Sequence, residues 1–189
     1  MTPVEALLDI LPQTQCRQCG FAGCRAYAEA LAAGSAPPNR CAPGGQARAT
    51  RLAERLGVPA LPLDPEYGRE LPLALARIRA HDCIGCGWCA KACPTDAVAG
   101  SPKRLYAIVE RDCTGCALCL PACPMDAIEL YEPGREWTQE DARRARARYE
   151  NAQARRARRE AERALRLEEK RGSFTRNLIA DVLAKARTR

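Results

Sequence analysis

The sequence repeats itself around its cysteines, and that repeat limits what the chain can fold into more than any other feature does. Residues 82–98 read DCIGCGWCAKACPTDAV and residues 112–128 read DCTGCALCLPACPMDAI, with ten of seventeen positions identical at an offset of thirty. Each copy carries C-x2-C-x2-C-x3-C followed by proline. Three cysteines at steps of three let one tight loop wrap three corners of a compact inorganic core. The proline ends the short helical turn that follows and directs the fourth thiolate elsewhere. Structural zinc sites use two cysteine pairs separated by a longer loop to hold one tetrahedral ion. Two duplicated runs of four, each closing in Cys-Pro, do not fit that plan.

The spacing is that of the bacterial two-cluster ferredoxin, in which the fourth cysteine of each run ligates the other run's cluster. The expected ligation is therefore crossed. Cys83, Cys86, Cys89 and Cys123 hold one [4Fe–4S] cluster, and Cys113, Cys116, Cys119 and Cys93 hold another. Gly85 and Gly115 precede the second cysteine of each run, where a backbone free to take positive φ turns N–H groups toward sulfur. Alternation over residues 104–110 and 127–132 predicts two short strands, and CAKACP and CLPACP predict single helical turns. Residues 77–135 thus read as a small α+β, two-cluster ferredoxin-like domain. His81, the sole histidine, reads as a surface residue, and Trp88 is expected to pack over a cluster.

Twelve cysteines against nine aromatic residues describe a chain held together by something other than a large apolar core. The opening MTPVEALLDILPQ has no basic, long apolar or cleavage-site segment, so it is not a secretory signal. No eighteen-residue apolar stretch occurs either. These features predict a chain kept in the reducing cytoplasm, where clustered cysteines bind metal rather than form disulfides.

The four cysteines outside the repeat, Cys16, Cys19, Cys24 and Cys41, are spaced C-x2-C-x4-C-x16-C. Four thiolates are what one cubane needs, although on spacing alone a zinc ion stays open. RAYAEALAAG after Cys24 reads as a helix with Ala28, Leu31 and Ala32 on one face and Gly34 at its end, and VEALLDIL as another short amphipathic helix.

Taken together, LPQTQCRQCGFAGCRAYAEALA, NRCAPGG, LDPEYG and the duplicated run resemble the B subunit of the Rnf (Rsx) electron-transport complex over about residues 4–132. The resemblance implies that Cys16, Cys19, Cys24 and Cys41 bind a third [4Fe–4S] cluster. It also implies a chain of clusters on the cytoplasmic side of a complex that passes electrons between NADH and ferredoxin and couples this to ion movement. Members built into that complex begin with a transmembrane helix, whereas only fifteen residues precede Cys16. The expectation is therefore a soluble relative acting as a polyferredoxin, cytoplasmic or peripheral on the cytoplasmic face of the plasma membrane.

Residues 1–57 are the expected N-terminal cluster module. Residues 58–76, with four prolines, form a semi-rigid connector, and residues 136–189 a basic helical tail. TQED after Trp137 reads as a helix cap. The alanine-rich run behind it reads as a solvated helix, with a second helix after Gly172 carrying Phe174, Leu178, Val182 and Ala186, flanked by Ile179 and Leu183. The net charge of +7 sits almost wholly in residues 138–189, with sixteen Lys/Arg against eight Asp/Glu. That asymmetry predicts steering toward an acidic partner or an anionic membrane surface.

No Walker loop, dinucleotide fingerprint or flavin motif occurs, so no catalytic residue is assigned. The chain reads as an electron carrier between a reduced donor and a ferredoxin- or NADH-linked redox partner, with no catalytic site of its own. The alternative is a peripheral subunit beside other Rnf/Rsx-type subunits, and so part of a redox-driven translocase. A nucleic-acid-binding protein with structural clusters is the third reading. It is disfavoured because arginine outnumbers lysine 26 to 4, a composition that a GC-rich genome imposes without any nucleic-acid role.

Overall fold

The computed structural model describes residues 2–187, with side chains through Phe174. The chain divides into two compact units, Met1–Tyr149 and Glu150–Arg189. The first holds all twelve cysteines.

Three helices open the first unit. α1 (Pro3–Ile10) starts where Thr2 Oγ1 accepts the Glu5 N–H at 3.3 Å, with proline in its first turn. It buries Ala6, Leu7, Leu8 and Ile10. α2 (Cys24–Ala32) turns Cys24, Tyr27, Ala28 and Leu31 inward. Ala32, expected on that face, is exposed, whereas Tyr27 is buried there. α3 (Gly45–Leu56) is a helix that the cysteine spacing did not announce, and it ends at Gly57 with φ +69°. Leu7, Leu8, Leu11, Tyr27, Leu31 and Leu52 form the apolar core among the three, with Cys19, Cys24 and Cys41 on it.

The duplicated half is a mixed helix and small-sheet fold, as expected of an α+β domain. β1 (Leu75–Ile78) pairs antiparallel with β4 (Ile128–Tyr131), Leu75 opposite Tyr131 and Ile78 opposite Ile128. β2 (Val98–Ala99) pairs antiparallel with β3 (Ala107–Ile108). β3 and β4 occupy the two stretches predicted as strands, although β3 is only two residues long. The partner of β4 begins at Leu75, inside the stretch expected to be a connector. Leu75, Ala76 and Ile128 then pack with Cys89, Cys93, Cys113 and Cys119.

CAKACP becomes α4 (Trp88–Ala92), but the equivalent CLPACP forms only loose turns. The cause is one residue. In the first copy the Lys91 N–H donates to Gly87 O at 3.2 Å, and the second copy has Pro121 there, with no N–H to give.

The connector does not stand free. Gln46 Nε2 donates to Leu61 O at 3.0 Å while Gln46 Oε1 accepts the Leu63 N–H at 3.0 Å. Asn39 Nδ2 donates to Pro62 O at 2.8 Å, and Glu70 Oε2 accepts the Gln46 N–H at 2.9 Å in the first turn of α3. A carboxylate there satisfies an orphan donor and complements the helix dipole.

The tail begins as predicted. Thr138 Oγ1 accepts the Asp141 N–H at 3.1 Å, and Asp141 Oδ2 accepts the Thr138 N–H at 3.0 Å, which is a reciprocal capping box. α5 (Gln139–Arg187) then runs through Gly172, so the two helices expected are one. Its opening turns are part of the first unit and bury Ala142 and Ala145. Trp137 Nε1 donates to Pro12 O at 2.9 Å, and Gln139 Nε2 to Asp9 O at 2.6 Å. Arg146 pairs with Glu5 and Asp9 of α1. Arg148 reaches the other half: its guanidinium donates to Thr95 O and Asp96 O, both at 2.9 Å, and pairs with buried Asp112 at 3.2 Å. These turns clamp the two cysteine-bearing halves together.

Glu150–Arg189 is helical to Arg187. Leu165, Leu167 and Phe174 are exposed there, as a solvated helix allows. The expected stripe of Leu178, Ile179, Val182, Leu183 and Ala186 lies outside the residues whose side chains are described. Among the described residues, no helix is long and apolar enough to cross a membrane.

Arg148→Ala strips two carbonyls and a buried carboxylate of their donor. It should lower stability in anaerobic denaturant titration by about 2 kcal/mol. Burial opposes the charge of Asp141, but its bonds from Thr138 and Arg135 outweigh burial and hold its pKa below the ordinary value. The cap therefore stabilises the fold above the unfolded pKa of roughly 4 and loses that contribution as pH falls through the folded value. Truncation after residue 137 should destabilise the first unit far more than truncation after Tyr149.

Candidate metal centres

The structure gathers the cysteines into groups of four. Cys83, Cys86 and Cys89 line one cavity together with Cys123, the closing cysteine of the other repeat. Cys16, Cys19, Cys24 and Cys41 line a second cavity, with Leu11, Thr14 and Tyr27 among its walls. Cys93 adds to the electrostatic environment of both Cys116 and Cys119, alongside Cys113. Each closing cysteine thus stands with the opposite repeat's loop. Among the described residues, no three His, Cys, Asp or Glu side chains converge closely enough to hold a single metal ion.

The chain takes unusual backbone conformations to present these sulfurs. Asp96 and Asp126, thirty residues apart, both sit at positive φ, 50° and 48°. Aspartate tolerates that region better than most side chains do. The turn aims the following N–H at sulfur: Ala97 donates to Cys93 Sγ at 3.2 Å, and Ala127 to Cys123 Sγ at 3.3 Å. Gly85 and Gly115 have φ +70° and +67°, as expected, but space also demands them. A Cβ at Gly85 would lie 2.5 Å from Arg104 O, and one at Gly115 would lie 2.4 Å from Ala74 O.

Around Cys16 the device is different. Gln13, Gln15 and Arg17 all take positive φ, and the backbone of Gln15 and Gln13 eases the charge on Cys24 against burial. Two buried glutamine side chains lock this loop: Gln13 Nε2 donates to Leu8 O at 2.6 Å, and Gln15 Nε2 to Gln13 Oε1 at 3.0 Å. Gln15 Oε1 accepts the Cys24 N–H at 3.0 Å. Backbone groups ease the charge on other cysteines too, Phe21 on Cys19, Gly44 on Cys41, Ala90 on Cys89 and Leu118 on Cys116.

Burial works against charge at these sulfurs. It pushes the Cys24 and Cys119 thiols up to about 12 and Cys116 up to about 11, and raises Cys41 well above its ordinary value. Neighbouring cysteines add to the rise, and the N–H groups only partly offset it. Such sulfurs become thiolates around a cation, and binding one releases protons. A multi-iron group fits the donor set and the N–H groups turned toward it.

The halves meet between two of these groups: Thr114 Oγ1, next to Cys113, donates to Thr14 O at 3.0 Å, two residues from Cys16. Cys86 is the one exposed cysteine of the twelve. His81 is on the surface as expected, with Nε2 3.3 Å from Asp82. Trp88 does not cover a cavity. The residue is 58% exposed, and its ring stacks instead with Lys91, whose Nζ is 5.3 Å from the centroid.

Comparisons with known proteins agree with this geometry. Residues 76–130 match the family model described as a 4Fe-4S dicluster domain, and residues 11–43 match that described as a putative Fe-S cluster. The chain is similar to proteins named as the B subunit of the ion-translocating oxidoreductase complex. It is 52% identical to that of Thiobacillus denitrificans over 108 residues, which is 57% of each chain. It is 49% identical to that of Hahella chejuensis over 106 residues, 56% of this chain and 53% of the relative. The match to the Alkalilimnicola ehrlichii protein is 52% over 111 residues, 57% and 59% of the two chains. The chain therefore spans little more than half the length of the curated relatives it matches. It is an iron–sulfur protein of the electron-transfer kind, homologous to these B subunits over that span.

Crossing has a direct test. Cys93→Ser should alter the EPR signal of the cluster at Cys113, Cys116 and Cys119, and leave that at Cys83, Cys86 and Cys89 in place. Loss at the Cys83 group instead would contradict the crossed arrangement.

Proposed function

We propose that the chain is an electron relay with three [4Fe–4S] stations. One is held by Cys16, Cys19, Cys24 and Cys41, the second by Cys83, Cys86, Cys89 and Cys123, and the third by Cys113, Cys116, Cys119 and Cys93. The observation that carries the reading is the grouping of sulfurs in fours around cavities, with Cys123 crossing to the other repeat's loop. Bound clusters supply one-electron storage at each station.

The protein's own part is to hold, shield and tune. Leu11 and Tyr27 wall the N-terminal cavity and Ile78 and Ile128 the Cys83 cavity, keeping water from the sulfurs. The N–H groups of Ala97 and Ala127 place positive dipole ends on them, which favours the more negative, reduced state. The Thr114–Thr14 bond sets the Cys113 group beside the Cys16 group, and exposed Cys86 puts the Cys83 group nearest solvent. This supports an order in which the Cys113 station lies between the other two, with the Cys83 station facing a redox partner.

The names of the relatives support a more specific setting, a subunit of an ion-translocating oxidoreductase complex working beside its other subunits. In that setting the chain sits in the cytoplasm or on the cytoplasmic membrane face. Residues 150–189 carry twelve Lys/Arg against six Asp/Glu, a charge that suits an acidic partner or an anionic membrane surface.

Protein purified without air should contain about twelve iron and twelve acid-labile sulfide, four of each per cubane. Cys16→Ser should remove only one set of reducible signals. Stoichiometric zinc in the N-terminal module would contradict the reading. Truncation after Tyr149 should keep all three clusters while weakening salt-sensitive binding to vesicles rich in phosphatidylserine.

A further inference from the structure

Thr14 carries a hydroxyl with nothing in the protein to bond. The residue is 6% exposed, and its Oγ1 is buried without a hydrogen-bond partner. It also lines the cavity that Cys16, Cys19, Cys24 and Cys41 surround. A buried hydroxyl left unpaired carries the full penalty of its lost hydration, so such groups ordinarily have a partner.

The rest of Thr14 is fixed. Its carbonyl accepts Thr114 Oγ1 at 3.0 Å. Its neighbours Gln13 and Gln15 are held at φ 59° and 56° by the buried side-chain bonds to Leu8 O, to each other and to the Cys24 N–H. A segment pinned on both sides keeps the hydroxyl at the cavity.

We propose that Thr14 Oγ1–H donates a hydrogen bond to a sulfur of the [4Fe–4S] cluster held by Cys16, Cys19, Cys24 and Cys41, and so raises that station's reduction potential. The inference rests on the three-station reading above. Thr14 ligates no iron. It is a positioning residue whose donor stabilises the extra negative charge that reduction brings, one of the levers that set cluster potentials.

Thr14→Val keeps the shape and removes the hydroxyl. The test is an anaerobic, EPR-monitored redox titration of the full chain, with the N-terminal station identified as the signal missing from Cys16→Ser. At a fixed poise its reduced-to-oxidised ratio should fall about tenfold, the effect of one hydrogen bond to a charged group. For a one-electron couple that is about 59 mV more negative. The other two stations should not move, and Thr14→Ser should titrate as the unmodified protein does. An unmoved potential in a valine variant that keeps its iron overturns the proposal. If the valine variant loses the cluster, Thr14→Ser and Thr14→Ala are compared: a lower potential with alanine supports the bond, and equal potentials overturn it. Iron analysis separates the two failures. Fewer than about twelve irons in the unmodified protein overturns the three-station reading and the bond with it, while twelve irons with an unmoved potential overturns the bond alone.

Discussion

Cys19, Cys24, Cys41, Cys89, Cys116 and Cys119 resist ionisation because burial disfavours their thiolates, and a metal group among them reverses that. Burial and mutual repulsion push Cys24 and Cys119 up to about 12, so at neutral pH these positions favour neutral thiols until iron takes the protons' place. Much of the fold follows from that requirement. Cys19, Cys24 and Cys41 belong to one apolar core, and Cys89, Cys93, Cys113 and Cys119 belong to the other. Metal binding and core formation are then a single event, as in small domains whose metal affinity is folding free energy. The backbone bends to the same end, with left-handed residues at Asp96 and Asp126 turning the next N–H toward sulfur.

Much of the candidate site was legible in the sequence because cysteine spacing is itself a geometric instruction. Steps of three close a loop, and Cys-Pro sends the fourth thiolate across, so the gathering of Cys123 with Cys83, Cys86 and Cys89 was readable from spacing alone. The cap at Thr138 and Asp141 was legible for a similar reason, since a capping box needs only residues three apart. What escaped depends on partners distant in sequence. β1 was hidden in a proline-rich stretch because its pairing with β4 spans more than fifty residues. The clamp by Arg148 on Thr95 O and Asp96 O uses carbonyls, which have no sequence signature. α3 was a different kind of omission: Ala49, Leu52, Ala53 and Leu56 recur at helical spacing before Gly57, a signal present but overshadowed by the cysteines. The exposure of Trp88 shows the limit of placing an aromatic beside a cluster by proximity in sequence alone.

The arrangement suits a relay because the contacts joining the halves run beside the sulfurs. Thr114 follows Cys113 and bonds the backbone of Thr14 near Cys16, while Arg148 holds the carbonyls just after Cys93. One helix start thus fixes the distance between two cysteine groups, and rigid spacing is what transfer between stations requires. The basic stretch after residue 149 adds charge without adding cysteines, a division that matches the division into two compact units.

The central claim is that each group of four cysteines holds its own cubane. Anomalous diffraction at the iron edge from crystals grown without air tests it most directly. The account predicts three separate iron peaks of equal weight, one each among Cys16, Cys19, Cys24 and Cys41, among Cys83, Cys86, Cys89 and Cys123, and among Cys113, Cys116, Cys119 and Cys93. A zinc-edge peak at the first group, or iron at the repeat alone, would contradict it.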